Sequence, residues 1–253
     1  LVIDRLWACF SFTKERVVPE RSSSQQRTSV NQDIKDISGN SQWVIIASIT
    51  FFLLTAVAMR GGVTNYYIEY FFDRKSSIGV FNFLGMIAGV VGALSVTILK
   101  KYTCKVSLFK WATIIVIVLH LGFFALNRDQ YLIAVALSMA ANFFHMMVTV
   151  ILFSMVPDTV EYGKSALKAA GNAMAMSFAG HLLALKFGIA VGGAMTGWGL
   201  AYVGYVANAV QSESALSGIV AIYASGPIAL GFVILALLSR YKLTNQEMTK
   251  YAG

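Results

Sequence analysis

Charged residues are scarce in this sequence. Asp, Glu, Lys and Arg make up 13% of its 253 residues, whereas a soluble domain carries about a quarter. The charges lie in short groups between apolar runs, and each run reaches the length of about 20 residues that a helix needs to cross a bilayer. This distribution excludes an ordinary soluble globule and predicts a polytopic membrane protein surrounded by lipid.

Sequence patterns typical of enzymes and metal sites are also missing. The two cysteines, Cys9 and Cys104, lie beside basic clusters and lack metal-ligand spacing. Because those clusters are predicted to be cytoplasmic, no disulfide between them is expected. No zinc, phosphate-loop or nucleophile-elbow pattern occurs, and no catalytic pair lies at one depth. We therefore expect neither an enzyme nor a bound cofactor.

The apolar runs divide the chain into four parts. Residues 1–12 are predicted to end a preceding transmembrane helix, 13–41 to form a polar cytoplasmic middle loop, 42–240 a six-helix transmembrane bundle, and 241–253 a cytoplasmic tail. The six spans are placed near residues 42–71, 76–99, 107–126, 131–156, 173–205 and 216–239. Since residue 1 is not Met and falls inside an apolar stretch, we expect a fragment or the second half of a longer protein.

Basic residues alternate between rich and poor loops. Lys100, Lys101, Lys105 and Lys110 lie between the second and third spans, whereas the next loop holds only Arg128. Positive loops stay cytoplasmic, so both ends of the chain are predicted to face the cytoplasm from the inner cell membrane. The same rule accounts for the net charge of +8, so no nucleic-acid partner is expected.

Three glycine pairs at four-residue spacing predict close helix packing. They are Gly85 with Gly89, Gly188 with Gly192, and Gly193 with Gly197. In lipid, small residues at this spacing let two helix backbones approach each other closely. We expect each pair to lie at a helix interface.

Lys186 lies deep inside the fifth apolar run. A central lysine costs about 2.5–3.5 kcal/mol on insertion scales, so such residues face a bundle interior or a wet cavity. One interpretation is a buried pair with a carboxylate, although this chain has no acid at matching depth. The favoured interpretation is a cavity-facing donor for substrate hydroxyls, because lysine offers three donors and no acceptor.

The histidines of the spans are weaker candidates. His181 lies five residues before Lys186 and about 140° around the helix, so it is as consistent with packing as with substrate contact. His120 and His145 are predicted to be packing residues.

Arg60 begins a second group of candidates. Gly61 and Gly62 follow it and should loosen the helix, and Asn65 and Tyr66 come next. A broken helix with amide and aromatic groups is typical of transporter binding sites. The alternative is an aromatic belt at the membrane interface.

Four strings of residues carry a family resemblance. "FTKERV" precedes the polar linker, "PDTVEYG" ends the fourth span, and "LKFGIAVGGAMTGW" and "YVGYV" follow in the fifth. In this order and spacing they resemble the glycoside–pentoside–hexuronide:cation symporters over essentially the whole chain. The resemblance implies the C-terminal half of a twelve-helix, major-facilitator-type transporter, all α-helical in fold. It also implies transport of a sugar or glycoside coupled to Na⁺ or H⁺, with the cation site mainly in an N-terminal six-helix half.

The resemblance also implies roles for individual residues. Lys186 matches a lysine at the sugar and cation sites, and His181 lies near positions that line the sugar cavity. Arg60, Asn65 and Tyr66 match a helix that contributes cavity or outer-gate residues.

A cytoplasmic gate is implied in the same way. Asp158 and Glu161 belong to the matching string, and with Lys168 they are expected to pair with the middle loop or the other half. The chain departs from the family pattern after this point, where Lys168-Ala169-Ala170-Gly171 stands for an Arg-Ala-Glu-Gly-like run. One gate charge is therefore missing.

Other functions remain open at this stage. A major-facilitator transporter of an organic anion or hexuronide would use Arg60 and Lys186 as counter-charges. A non-transporting membrane scaffold fragment is disfavoured, because an inert bundle has no reason to keep Lys186. An intramembrane enzyme would need a catalytic pair that the spans do not show.

Overall fold

Helices make up the regular structure of the described part of the chain. The computed structural model describes Trp7, Phe12 and residues 30–167 and 173–250. We number the helices α1 (Val30–Gly39), α2 (Ser41–Tyr66), α3 (Ile78–Leu99), α4 (Lys105–Phe123), α5 (Tyr131–Leu167), α6 (Ala173–Tyr202), α7 (Glu213–Leu238) and α8 (Asn245–Met248). A π-helical turn, Tyr67–Phe71, continues α2, and a 3₁₀ turn, Lys75–Ser77, precedes α3.

Six of these helices are long and apolar enough to cross a membrane. The spans are Ser41–Phe71, Lys75–Leu99, Lys105–Phe123, Tyr131–Ala166, Ala175–Tyr202 and Glu213–Leu238. The predicted all-α fold with a six-helix membrane bundle is therefore confirmed. The fourth span continues beyond its predicted end at Val156, through Pro157, to the end of α5 at Leu167.

Helix α2 lies at the centre of the bundle. It packs against α6 and α7 and also contacts α5, while α3 packs on α5 and α4 packs on α5 and α7. Buried side chains form two clusters, one around Ile46, Phe109 and Leu152 and the other around Tyr67, Phe123 and Tyr223. We call the end that carries Lys105 and Lys242 the basic end, and the opposite end, with Tyr67–Phe71, the far end.

Polar contacts join the chain segments at the basic end. The Asn40 Oδ1 atom caps α2 by accepting from the backbone N–H groups of Gln42 and Trp43, each at 3.1 Å. Its Nδ2 atom donates to the carbonyl of Thr159 on α5 at 2.7 Å. Gln42 Oε1 accepts from the backbone N–H of Lys242 at 2.8 Å. The two bonds to Asn40 Oδ1 satisfy N–H groups that would otherwise be unpaired at the start of α2, and the other two join this end of the chain to α5 and to the segment after α7.

The glycine pairs do not all lie at interfaces. A Cβ atom on Gly188 would lie 2.5 Å from the carbonyl oxygen of Phe51, and one on Gly192 would lie 2.5 Å from that of Thr55. The α2 and α6 backbones are thus in direct contact. Gly193 and Gly197, in contrast, have no neighbouring atom within 4 Å of such a Cβ. Within the described part of this chain no helix packs on this last pair, because these glycines lie on the open face of α6.

Tyr241, which follows α7, belongs to the buried cluster around Ile46, Phe109 and Leu152, and it allows a test of this cluster. Its ring is buried, its hydroxyl has no hydrogen-bond partner among the described residues, and burial, with Asp158 nearby, raises its pKa above the ordinary 10.0. The unfolded chain ionises this phenol more readily, so its contribution to stability is lost as pH rises above about 10. Tyr241→Phe should therefore show a smaller fall in melting temperature between about pH 9 and about pH 11. An equal fall in both proteins would contradict this.

Candidate functional site

A polar cavity opens between the helices on one side of the bundle. It has a volume of about 350 Å³ and lies among α2, α3, α5 and α7. This volume lies near the lower end of the range of about 300–1,000 Å³ that small-molecule binding sites have. Its polar lining comes from Arg60, Thr64, Asn65, Asn82, Ser138, Asn142 and Tyr223.

Arg60 is the charged residue of this cavity. Its side chain is 9% exposed, and its Nη2 atom donates to Asn142 Oδ1 at 2.6 Å. Asn142 Nδ2 donates in turn to the carbonyl of Ser138, one turn earlier, at 2.9 Å. This second bond orients the amide so that its oxygen faces the guanidinium. The Nε and Nη1 atoms of Arg60 have no hydrogen-bond partner in the described structure.

Two further amides lie at the exposed side of the cavity. Asn82 Nδ2 on α3 donates to Asn65 Oδ1 on α2 at 3.1 Å. The hydroxyl of Thr64 donates to the carbonyl of Arg60 at 2.6 Å, so it serves its own helix. The two amides keep further donors and acceptors for a solute.

Lys186 does not line this cavity. Its side chain is exposed near the middle of α6 and makes no hydrogen bond or ion pair with the described residues. Because Gly188 lies against Phe51 and Gly192 against Thr55, α2 and α6 run parallel at matched depth. Lys186 is then level with about residue 49 of α2, about 16 Å from Arg60 along the axis at 1.5 Å per residue.

His181 lies in a helix interface. Its ring is fully buried, with Nδ1 3.1 Å from Thr50 Oγ1 and the ring centroid 4.8 Å from that of Phe153. Since Thr50 already donates to the carbonyl of Ile46, Nδ1 of His181 is the donor in their bond. The structure thus places His181 between α2, α5 and α6, away from the Arg60 cavity.

Tyr66 belongs to an aromatic group at the far end. Its ring centroid lies 6.5 Å from that of Tyr70 and 5.0 Å from that of Tyr205. Tyr205 donates its hydroxyl proton to Tyr70 at 3.1 Å, and burial, together with this bond, raises the pKa of Tyr205. A second, outer cavity of about 720 Å³ lies beside Tyr70, and Tyr66 is not part of the Arg60 lining.

Two of the three residues implied as a gate, Asp158 and Glu161, lie at the basic end. Asp158 forms an ion pair with Lys105, the first residue of α4, so its described partner lies within this bundle and not in the middle loop. Glu161 is partly buried one turn later. Lys168 lies outside the described residues.

Five polar residues of the cavity lining were not predicted from the sequence: Thr64, Asn82, Ser138, Asn142 and Tyr223. The two amides, Asn82 and Asn142, stand inside apolar runs. The sequence did offer one signal for the two asparagines: an amide inside a membrane span is costly in lipid unless it has hydrogen-bond partners.

His145, one turn from Asn142, is buried as predicted, with both ring nitrogens lacking a partner in the described structure.

Six helices that are long and apolar enough to cross a membrane define the class as a polytopic membrane protein. Residues 1–245 match the family model described as MFS/sugar transport protein, and the chain belongs to this family.

Curated relatives extend this assignment. The chain is 31% identical over 245 residues to the inner membrane symporter YicJ of Escherichia coli (strain K12), covering 95% of the chain and 51% of the relative. It is 32% identical over 244 residues to the putative glycoside/cation symporter YagG of the same strain, covering 96% and 52%. It is 29% identical over 244 residues to the isoprimeverose transporter of Lactiplantibacillus pentosus, covering 94% and 49%. The predicted resemblance is confirmed, and the chain spans about half the length of these relatives.

Proposed function

We propose that the chain supplies the C-terminal half of a secondary transporter for a sugar or glycoside in the inner membrane. Transport is coupled to Na⁺ or H⁺, and two six-helix halves alternate in exposing a midplane site to either side. The observation that carries this proposal is the amide-rich cavity around Arg60 at membrane depth. The names of the relatives, a glycoside/cation symporter and an isoprimeverose transporter, support it.

The orientation follows from the positive loops. The basic end carries Lys100, Lys101 and Lys105 together with Arg240 and Lys242, so we place it in the cytoplasm. The Arg60 cavity then opens nearer the outer half of the membrane. Lys186 lies on the face of α6 that this chain leaves open, where the N-terminal half and the solute pathway would cover it.

The coupling of sugar and cation needs both halves. The cation and the sugar each stabilise one occluded arrangement, so each raises the affinity for the other by the same factor. Asp158, Glu161 and Lys168 are proposed to help close the basic end. The ion pair between Asp158 and Lys105 is the proposed contribution of this half to that closure.

Uptake by reconstituted vesicles tests the proposal. Vesicles that contain this chain together with an N-terminal six-helix half should accumulate a radiolabelled glycoside when an inward Na⁺ or H⁺ gradient is imposed. Collapse of the gradient with an ionophore should abolish accumulation but preserve counterflow. Vesicles with the chain alone should show neither.

Two results would contradict the proposal. Accumulation by the chain alone would show that it is not a half of the transport unit. Absence of uptake and counterflow for every sugar, neutral or acidic, with both halves present would exclude sugar transport.

A further inference from the structure

A second, much smaller cavity lies inside the bundle among α2, α4, α5 and α7. It has a volume of about 20 Å³ and shares no lining residue with the Arg60 cavity. All nine of its lining residues are buried. The helices of this chain therefore enclose it by themselves, whatever packs on their outer faces.

His145 on α5 brings an unpartnered polar group to this cavity. Its side chain is only 5% exposed, and neither ring nitrogen has a hydrogen-bond partner in the described structure. A neutral imidazole offers one N–H donor and one lone pair. Because burial of such groups without partners is costly, a partner for His145 is expected within the cavity itself.

Thr113 on α4 and Pro227 on α7 line the same cavity. The hydroxyl of Thr113 donates to the carbonyl of Phe109 at 2.9 Å, so its oxygen can accept from a further donor. Proline has no N–H, so residue 227 gives no helix bond to the carbonyl of Tyr223, four residues earlier. Ordered waters are among the groups that satisfy carbonyls freed in this way in membrane helices.

The size and the polar groups of the cavity select its occupant. A water molecule needs about 10–15 Å³ and two to four polar partners, whereas small-molecule sites begin at about 300 Å³. A metal ion does not fit, because the part of the chain that the structure describes holds no group of three or more ligating side chains. Water also has the right polarity, since it accepts one bond and donates two.

We propose that one water molecule binds in this cavity and bridges His145 to Thr113 and to the backbone carbonyl of Tyr223. It accepts from the imidazole N–H and donates its two O–H groups to the two oxygens. The water thus links α4, α5 and α7 through groups that make no hydrogen bond directly with His145. The inference does not depend on the solute that the protein carries.

Magnetisation transfer from water to histidine tests the site directly. The sequence holds three histidines, so a chain labelled with ¹³C,¹⁵N-histidine and purified in detergent gives three imidazole signals, which single substitutions assign. The ring of His145 should show a cross-relaxation peak with a long-lived water, and Thr113→Val should weaken that peak. Absence of the peak at the assigned His145 signal of the unsubstituted chain would overturn the proposal.

Two matched threonine variants measure the bond that the water makes. Thr113 and Thr55 are both buried, and each hydroxyl donates to the carbonyl four residues earlier, but Thr55 does not line the cavity. Thr113→Val and Thr55→Val therefore lose the same helix bond, and only the first also loses a bond to the water. Urea unfolding in detergent should show a loss in the folding equilibrium constant about fivefold greater for Thr113→Val, the scale of one hydrogen bond.

Repeating the pair of variants without the imidazole identifies the cause of the difference. In a His145→Leu background the leucine occupies the cavity and the water has no donor, so Thr113→Val and Thr55→Val should have equal effects. Equal effects in the unsubstituted chain, or an unchanged difference in the His145→Leu chain, would contradict a water bridge. The proposal stands only if the water peak and the fivefold difference are both observed.

Discussion

Replacing Gly192 by alanine is expected to destabilise the bundle, whereas the same change at its neighbour Gly193 is not. A Cβ at Gly192 would lie 2.5 Å from the Thr55 carbonyl oxygen and 2.7 Å from the Cβ of Ala58. These atoms belong to the α2 backbone or are attached directly to it, so the helices must move apart. Overpacking of this kind costs about 1–3 kcal/mol. The melting temperature of the chain purified in detergent is the measurement.

Gly193 is the matched control for this experiment. It is adjacent in sequence and lies in the same helix, but no atom is within 4 Å of a Cβ built on it. Gly193→Ala should leave the melting temperature unchanged or raise it, because alanine is favoured over glycine in a helix by up to about 1 kcal/mol. Equal losses at both positions would show that α2 and α6 do not meet as described.

Asn142→Leu is expected to give the second large loss of stability. The leucine is similar in size but cannot accept from Arg60, so the guanidinium keeps no partner on this helix. Removing the partner of a buried donor costs about 1–3 kcal/mol, and more when the donor is charged. Urea or thermal unfolding in detergent measures the effect.

A double variant identifies the cause of that loss. Arg60→Met together with Asn142→Leu removes both polar partners and should be more stable than Asn142→Leu alone, because no unpaired charge remains. The coupling between the two sites is then the non-additive part of the double-mutant cycle. If the two losses simply add, the Arg60–Asn142 bond does not stabilise the fold.

Charge patterning was sufficient to predict the membrane fold. Six apolar runs separated by charged groups gave six spans whose ends agree with the helices within a few residues, α5 excepted. There the polar string after Pro157 indicated a loop, yet the helix continues to Leu167. Tertiary contacts sustain it, since Asp158 pairs with Lys105 and the Thr159 carbonyl accepts from Asn40.

The composition of the site was only partly predictable. Arg60 and Asn65 were recognisable because a charge and an amide stand beside a glycine pair. Their partners were not, because Arg60 and Asn142 are 82 residues apart and their meeting depends on how α2 packs on α5. The equal spacing of the two α6 glycine pairs illustrates the same limit. A shift of one residue turns a position about 100° around a helix, which moves Gly193 from the interface that Gly192 occupies to the open face.

The exposed ammonium of Lys186 has a consequence for biosynthesis. Insertion of α6 as a lone segment would place that charge against acyl chains, at a cost of about 2.5–3.5 kcal/mol. A protein surface that already lies in the membrane and packs on this face of α6 would remove this penalty when α6 leaves the translocon. On the proposed two-half architecture, the presence of the N-terminal half when α6 is inserted should therefore govern how much of this polypeptide escapes degradation.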